Sequence, residues 1–348
     1  MRLKSLIILF ILLLCIPIQI RASEYQPPPP PGEAEKYMPD DTDSLADGLW
    51  HVFREAIKDI RPDIARAAGI CLRLVGVCVL VSLLKNQICT HQNILDFIGT
   101  LAIGIIALDP VSSLITVGTE TIQTIHNYAI LLLPVMTGAM AAQGSVTASA
   151  GIYAGTALFN AILSNVATTL VIPGCYIFTA LSIANNALGA QALTGMQKMV
   201  KGVIIWTLKI LLYVFTGYIT ITGVINGAAD AYAIKAAKIA ISGSVPVVGS
   251  IISDASETIL VSAGMVKNAT GIYGLFAVLS ICISPFLRIG IQYMLLQFTA
   301  AICEIFGTKS ICSVVRDIAT VMSFILAATG TLCLLLLISI VCFMKGSP

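Results

Sequence analysis

Two ionisable residues lie beside prolines within long apolar stretches, and they are the first candidates for chemistry. Asp109 directly precedes Pro110, and Arg288 follows Pro285 by three residues. A charge within a bilayer is costly and usually marks a functional site, and a helix broken by proline needs protein or a wet cavity around its exposed backbone groups. The two side chains could neutralise each other as an ion pair, or they could serve a transporter as substrate-binding or proton-carrying groups.

A second set of charged residues forms two pairs, each spaced by three residues. Lys235 and Lys238 are the basic pair, and Asp254 and Glu257 are the acidic pair, so each pair shares one face of a helix. The linker between them contains glycine and proline and predicts two short helices joined by a bend, across which the pairs could face each other. Residues 226–269 are therefore interpreted as a helical hairpin that either dips into the membrane and returns or lies on its surface.

Catalysis is poorly supported by these residues. No histidine, nucleophile or set of metal ligands accompanies Asp254 and Glu257. The ten cysteines include no CxxC pair and cluster with no histidine, so they are interpreted as small apolar packing residues. The GxxxxGK[ST], HExxH, GxSxG and dinucleotide-binding motifs are missing. We therefore predict a protein that is not an enzyme, binds no cofactor or metal, and needs another subunit for any ATP-driven work.

The composition identifies the elements that must hold these residues. Only 11% of the 348 residues are charged and 57% are hydrophobic, whereas soluble domains carry about 25% charged residues. This disfavours a cytosolic enzyme and a disordered chain, and the formal net charge of +2 is too small to indicate nucleic-acid binding. The predicted fold class is all-α, a polytopic integral membrane protein of about six to eight spans.

Eight apolar segments are candidate spans. They cover residues 67–84, 96–118, 127–142, 151–172, 174–192, 202–224, 270–298 and 318–343. We expect the Leu- and Ile-rich stretch at 332–341 to face lipid over much of its circumference. Other candidates are rich in small residues, and Gly151 and Gly155 have the GxxxG spacing that lets helices approach closely. Such helices contact either each other or a neighbouring subunit.

The N-terminal residues have the layout of an export signal. A short basic start, an unbroken apolar stretch and a small-residue site predict a signal peptide over residues 1–22, with an uncleaved anchor helix as the alternative. Residues 23–66 then form an exported arm with a Pro-rich, acidic linker and an amphipathic helix that Pro62 should bend or break. The apolar stripe of this helix is expected to lie in the membrane interface, on a partner or on loops of the chain itself. Residues 67–348 form the membrane domain.

The region of residues 226–274 resembles the stage III sporulation protein AE family. The resemblance rests on the segment of residues 235–238, the turn around Pro246, and residues 253–258 and 267–271, and it extends over nearly the whole chain. It implies an integral membrane subunit of a sporulation-specific, secretion-like channel complex, located in the mother-cell membrane that surrounds the forespore. The complex would support forespore development, and the family brings no established catalytic residues.

The resemblance also implies partners. They are a cytoplasmic ATPase, other membrane subunits of the stage III sporulation assembly, ring-forming extracytoplasmic proteins and a forespore membrane protein, together with the lipid bilayer and no nucleic acid. The alternative function is a self-sufficient permease or flippase-type transporter. In that case Asp109 and Arg288 would act on the substrate or on protons, and the proline-broken helices would act as gates.

Overall fold

The computed structural model describes residues 27–39, 45–87, 92–189, 191–244, 249–306 and 309–345, and between residues 223 and 267 it describes only the helical backbone. This part of the chain is helical and contains no strand. The predicted signal peptide of residues 1–22 lies outside the described residues and stays a prediction.

Eight α-helices follow a 3₁₀ helix at Gly32–Tyr37 in the described part of the chain. They are α1 (Leu45–Asp59), α2 (Arg61–Gln87), α3 (Gln92–Ala142), α4 (Val146–Val166), α5 (Ile172–Leu188), α6 (Gln191–Ser244), α7 (Gly249–Ile305) and α8 (Lys309–Lys345). A π-helical turn at Ala167–Val171 joins α4 directly to α5. The break between α1 and α2 falls at Ile60, because Pro62 fits the first turn of a helix but not its interior.

Within the described residues, six stretches of helix are long and apolar enough to cross a membrane. They are Arg61–Gln87, Asn93–Ala142, Val146–Leu188, Leu193–Thr222, Asn268–Ile305 and Lys309–Lys345. The division into eight spans was therefore wrong at two places. Residues 96–118 and 127–142 belong to the single helix α3, and residues 151–172 and 174–192 are not separated by a turn.

The error over α3 has a physical reason. Pro110 and Pro134 both lie inside this helix, and the helix continues through them. Each proline removes one N–H donor and leaves the carbonyl four residues earlier, that of Ile106 or Ile130, without its helical partner. Neighbouring helices make this loss tolerable in an apolar helix, and α3 packs against α2, α7 and α8. A proline within an apolar run is thus a poor marker of a helix end here.

The core lies around α8. Of the 18 most apolar consecutive residues of α8, 61% are buried, whereas between 22% and 44% are buried in the corresponding stretches of the other five spans. Leu332, Leu336 and Ile340 are completely buried, and Leu334 and Val341 are among the exposed side chains of this stretch. The expectation that residues 332–341 face mainly lipid was wrong, because a uniformly apolar sequence is equally compatible with lipid and with a protein interior.

The predicted hairpin of residues 226–269 falls on the ends of two long helices. Helix α6 continues from its apolar part to Ser244, and α7 begins at Gly249 and continues into the next span. Pro246 lies outside the described residues. Lys235, Lys238, Asp254 and Glu257 lie on helical backbone whose side chains are not described, so the pairing of their charges, like the re-entrant or surface position of the hairpin, stays a prediction.

Candidate functional site

The residues before α2 pack onto α7. Tyr37, Val52, Ala56 and Phe276 form a small buried cluster of their own. Helix α1 therefore faces α7 with Val52 and Ala56, which are one helical turn apart. The cluster fixes the position of α1 and of the 3₁₀ helix relative to the membrane helices.

Polar contacts reinforce this docking. The hydroxyl of Tyr37 donates to Asp59 Oδ2 at 3.0 Å, and Lys36 forms an ion pair with the same carboxylate. The hydrogen bond from Lys36, followed by that from Tyr37, lowers the pKa of Asp59 below its ordinary value of 3.8. Asp59 in turn raises the pKa of Lys36, and burial raises that of Tyr37. The carboxylate of Asp59 thus joins the end of α1 to the end of the 3₁₀ helix.

An ion pair joins α2 to α7 close to this docked region. Arg288 Nε donates to Asp63 Oδ2 at 2.8 Å, and Arg66 contacts the other oxygen of Asp63 at 3.2 Å. The Asp63 side chain is only 13% exposed, whereas those of Arg288 and Arg66 are 40% and 75% exposed. Asp63 is therefore a mostly buried carboxylate whose charge is balanced chiefly by Arg288. A cavity of about 90 Å³ adjoins the pair and is bounded on α3 by Pro110.

The suggested pairing of Asp109 with Arg288 is not what the structure shows. Asp109 is exposed, and it lines a different cavity together with Tyr176 and Thr179. Arg288 instead pairs with Asp63, a residue that the sequence placed in the exported arm and not among the candidates. Sequence spacing could not reveal this contact, because the two residues are 225 positions apart.

The GxxxG glycines make contacts within the chain. A Cβ atom at Gly155 would overlap the ring of Tyr218 on α6, and the Tyr218 hydroxyl donates to the Gly151 carbonyl at 3.1 Å. Because Gly151 and Gly155 have no side chains, α4 leaves a space that the Tyr218 ring of α6 fills. Of the two alternatives left open by the sequence, the structure gives helix contacts inside one chain, so these glycines no longer indicate a neighbouring subunit.

A polar network that the sequence analysis missed lies around Asp317 on α8. Its Oδ2 accepts hydrogen bonds from Ser182 and Gln197, both at 2.7 Å, and from Asn186 at 3.4 Å. Because the donors belong to α5 and α6, this single carboxylate connects three helices. The sequence contains one signal for this network, an aspartate at the ninth position of an apolar helix. The adjacent Arg316 makes this charge less conspicuous.

Helix α1 has a second apolar face whose side chains remain substantially exposed. Leu49, Phe53 and Ile57 are 43%, 39% and 43% exposed, and Trp50 is 65% exposed. These side chains lie beside the buried Val52 stripe on the same helix. A helix with one apolar face docked and a neighbouring one uncovered is suited to bind a further surface.

These sites consist of ion pairs, hydrogen bonds and exposed apolar side chains. Among the described residues, no group of three His, Cys, Asp or Glu side chains could hold a metal ion. The eight cysteines within those residues form no disulfide bond, and seven of them are buried. The Asp63–Arg288 pair and the Asp317 network hold helices together, and the exposed α1 face offers a surface.

Comparison with known proteins gives one consistent result. The sequence model of the family described as stage III sporulation protein AE matches residues 40–347, so residues 27–39 lie before the match. A curated relative, the stage III sporulation protein AE of Bacillus subtilis (strain 168), is 24% identical over 275 residues, which cover 78% of this chain and 69% of the relative. No solved structure matches. Because the family match spans nearly the whole set of membrane helices, the chain belongs to the stage III sporulation protein AE family, and this membership implies a role in sporulation.

Proposed function

We propose that the protein is an integral membrane subunit of a secretion-like channel complex that links mother cell and forespore. Its place would be the mother-cell membrane around the forespore, and its action would be assembly without catalysis of its own. Family membership and six apolar helices support this proposal. A phosphate-binding loop is missing from the sequence, so the energy would come from a cytoplasmic ATPase among its partners.

The observation that carries the proposal is the uncovered apolar face of α1. The helix is held against α7 by Val52 and Ala56 while Trp50 and Phe53 remain exposed. A docked helix loses little conformational entropy when a partner binds, so its exposed aromatic side chains can serve as anchors. We assign this face to contacts with the ring-forming extracytoplasmic subunits or other membrane subunits of the assembly.

The topology supports the same assignment. Six consecutive membrane helices with short connections alternate in direction, so α1, the tip of the α6–α7 hairpin and the end of α8 come to the same side. If the arm is exported, all three face the space between the two membranes. The opposite connections carry Lys85, Lys198 and Lys309, but Arg66, Lys235, Lys238 and Lys267 lie toward the side of the arm, so the positive-inside rule gives only a modest preference for an exported arm.

A pull-down from sporulating cells in mild detergent tests the proposal. The wild-type chain should bring down an ATPase and ring-forming proteins, and Trp50→Glu with Phe53→Glu should abolish the recovery of the ring-forming proteins. His51→Glu, which adds one carboxylate on the exposed polar side of α1 where the double variant adds two on the apolar face, is the control and should leave recovery unchanged. Recovery of the chain alone from wild-type cells would contradict the proposal.

A self-sufficient permease remains the second candidate because Arg288 lines two cavities. Asp109 lines neither of them, so it would not share a substrate path with Arg288 in the described structure. A permease reconstituted alone in vesicles should move a solute, and Arg288→Gln should stop that movement while assembly persists. Unaided transport by the wild-type protein would refute the subunit proposal.

A further inference from the structure

A polar cavity separates α3 from α7 next to the Asp63–Arg288 pair. Its volume is about 410 Å³, far above the ~30 Å³ that a water molecule occupies in the liquid. Three polar residues of α3 and three of α7 line it: Glu120, Thr121, Thr124, Ser280, Ser284 and Arg288. The α7 residues are spaced by four and therefore lie on one face of that helix. Two polar faces thus oppose each other inside a predominantly apolar protein.

The proline-rich segment of residues 27–39 covers this cavity. Pro31, Gly32, Glu33, Ala34 and Tyr37 form part of its wall, so the cover adds a second carboxylate to that of Glu120. The segment is held from both sides, because the Tyr128 hydroxyl of α3 donates to the Pro28 carbonyl at 3.1 Å and the Tyr37 hydroxyl donates to Asp59. The cavity therefore has a defined cover and a fixed shape, as binding sites for small molecules generally have.

Three polar groups in this wall have bonding capacity left over. Ser280 is 1% exposed, and its hydroxyl has no hydrogen-bond partner among the described residues, although buried hydroxyls are normally satisfied. Arg288 contacts Asp63 through Nε, which leaves its two terminal nitrogens without a bond to the described residues. Glu120 is an exposed carboxylate with no ion pair in the same part of the chain. The wall offers donors for an anion and an acceptor for a cation.

We propose that this cavity binds a small zwitterionic group, a phosphate joined to an ammonium, as carried by the headgroup of an ethanolamine phospholipid. The terminal nitrogens of Arg288 donate to the phosphate, since a guanidinium suits phosphate oxygens better than an ammonium does. The lipid ammonium donates to Glu120, with Glu33 of the cover as the neighbouring carboxylate. The site goes beyond the role in assembly and does not depend on it.

The test measures which lipids the full-length protein retains. Protein purified in mild detergent is placed in nanodiscs with equal amounts of ethanolamine, glycerol and choline phospholipids, re-extracted, and analysed by mass spectrometry. Wild type should retain the ethanolamine lipid at least about fivefold over the glycerol lipid, as expected for one charge-assisted contact. Glu120→Gln should remove that preference, and Arg288→Lys should lower the retention of all three lipids about tenfold. Lys209→Gln removes an exposed charge that lines neither cavity at the Asp63–Arg288 pair and should change nothing.

Each outcome decides between lipid, solute and no ligand. Equal retention of the three lipids by wild type, or an unchanged ethanolamine preference in Glu120→Gln, would overturn the proposal. Saturable retention of radiolabelled phosphoethanolamine in lipid-free detergent, lost in Glu120→Gln, would support the zwitterion site and reject the phospholipid as its source. Glu120 is exposed and unpaired among the described residues, so Glu120→Gln should fold normally, which circular dichroism checks.

Discussion

Removal of the Arg288 charge should destabilise the protein far more than removal of the Arg66 charge, although both side chains contact Asp63. Arg288→Gln leaves a carboxylate that is 13% exposed with only the solvated Arg66 as a partner. Breaking a fully buried pair costs about 3–5 kcal/mol, and an exposed pair contributes roughly 0–1 kcal/mol. Because Arg288 is 40% exposed, we expect a loss of about 1–3 kcal/mol in the free energy of unfolding.

The assay is unfolding of the purified protein in mixed micelles by titration with a denaturing detergent, followed by circular dichroism. Arg66→Gln, whose side chain is 75% exposed, is the matched control and should cost less than about 1 kcal/mol. Asp63→Asn combined with Arg288→Gln should restore much of the loss, since the unpaired buried charge is then gone. Equal losses for the two arginine variants, or strictly additive effects in the double variant, would refute the reasoning.

Three further predictions follow from the other contacts. Gly155→Leu should lower the free energy of unfolding by about 1–3 kcal/mol because the new side chain overlaps Tyr218. Gly217→Leu, whose side chain meets open space on α6, should change the free energy of unfolding by no more than about 0.5 kcal/mol. The same titration measures both variants, and a larger loss for Gly217→Leu would contradict the packing argument. Asp317→Ala should lower the free energy of unfolding by about 2–4 kcal/mol, because the donors of α5 and α6 lose their acceptor. Asp317→Asn keeps an acceptor oxygen and should lower it by less. Equal losses for the two variants would argue against the network. Since the pKa of Asp59 is lowered in the folded protein, its contribution to docking is present above about pH 4 and lost as the pH falls through the lowered pKa. Limited proteolysis of the arm should therefore accelerate on acidification in the wild type but not in Asp59→Asn, and an unchanged rate in the wild type would show that docking does not depend on this carboxylate.

The sequence predicted the fold class because apolar length is a one-dimensional property. Low charge and long apolar runs suffice to identify candidate membrane helices, and the described part of the chain contains six helices that are long and apolar enough. The positions of helix ends were less predictable. Pro62 ends a helix in polar surroundings, whereas Pro110 lies within one, and only the surrounding contacts distinguish the two cases.

The partners of charged residues depended on tertiary structure. Arg288 was recognisable as unusual from its apolar neighbours, but its partner Asp63 is 225 residues away and had been counted with the exported arm. Asp317 was overlooked because its significance comes from donors on two other helices. Hydrogen bonds between distant helices leave no regular spacing in the chain.

The sequence by itself therefore determined the solvent of this protein, its helical class and its family resemblance, all of which depend on composition and local pattern. Tertiary structure alone decided that the Leu-rich stretch of α8 is the core, that Gly155 receives an aromatic ring of the same chain, and that a covered polar cavity lies between α3 and α7. The physical reason is that hydropathy measures the preference of a residue for water or an apolar medium, whereas burial against protein depends on which surfaces meet.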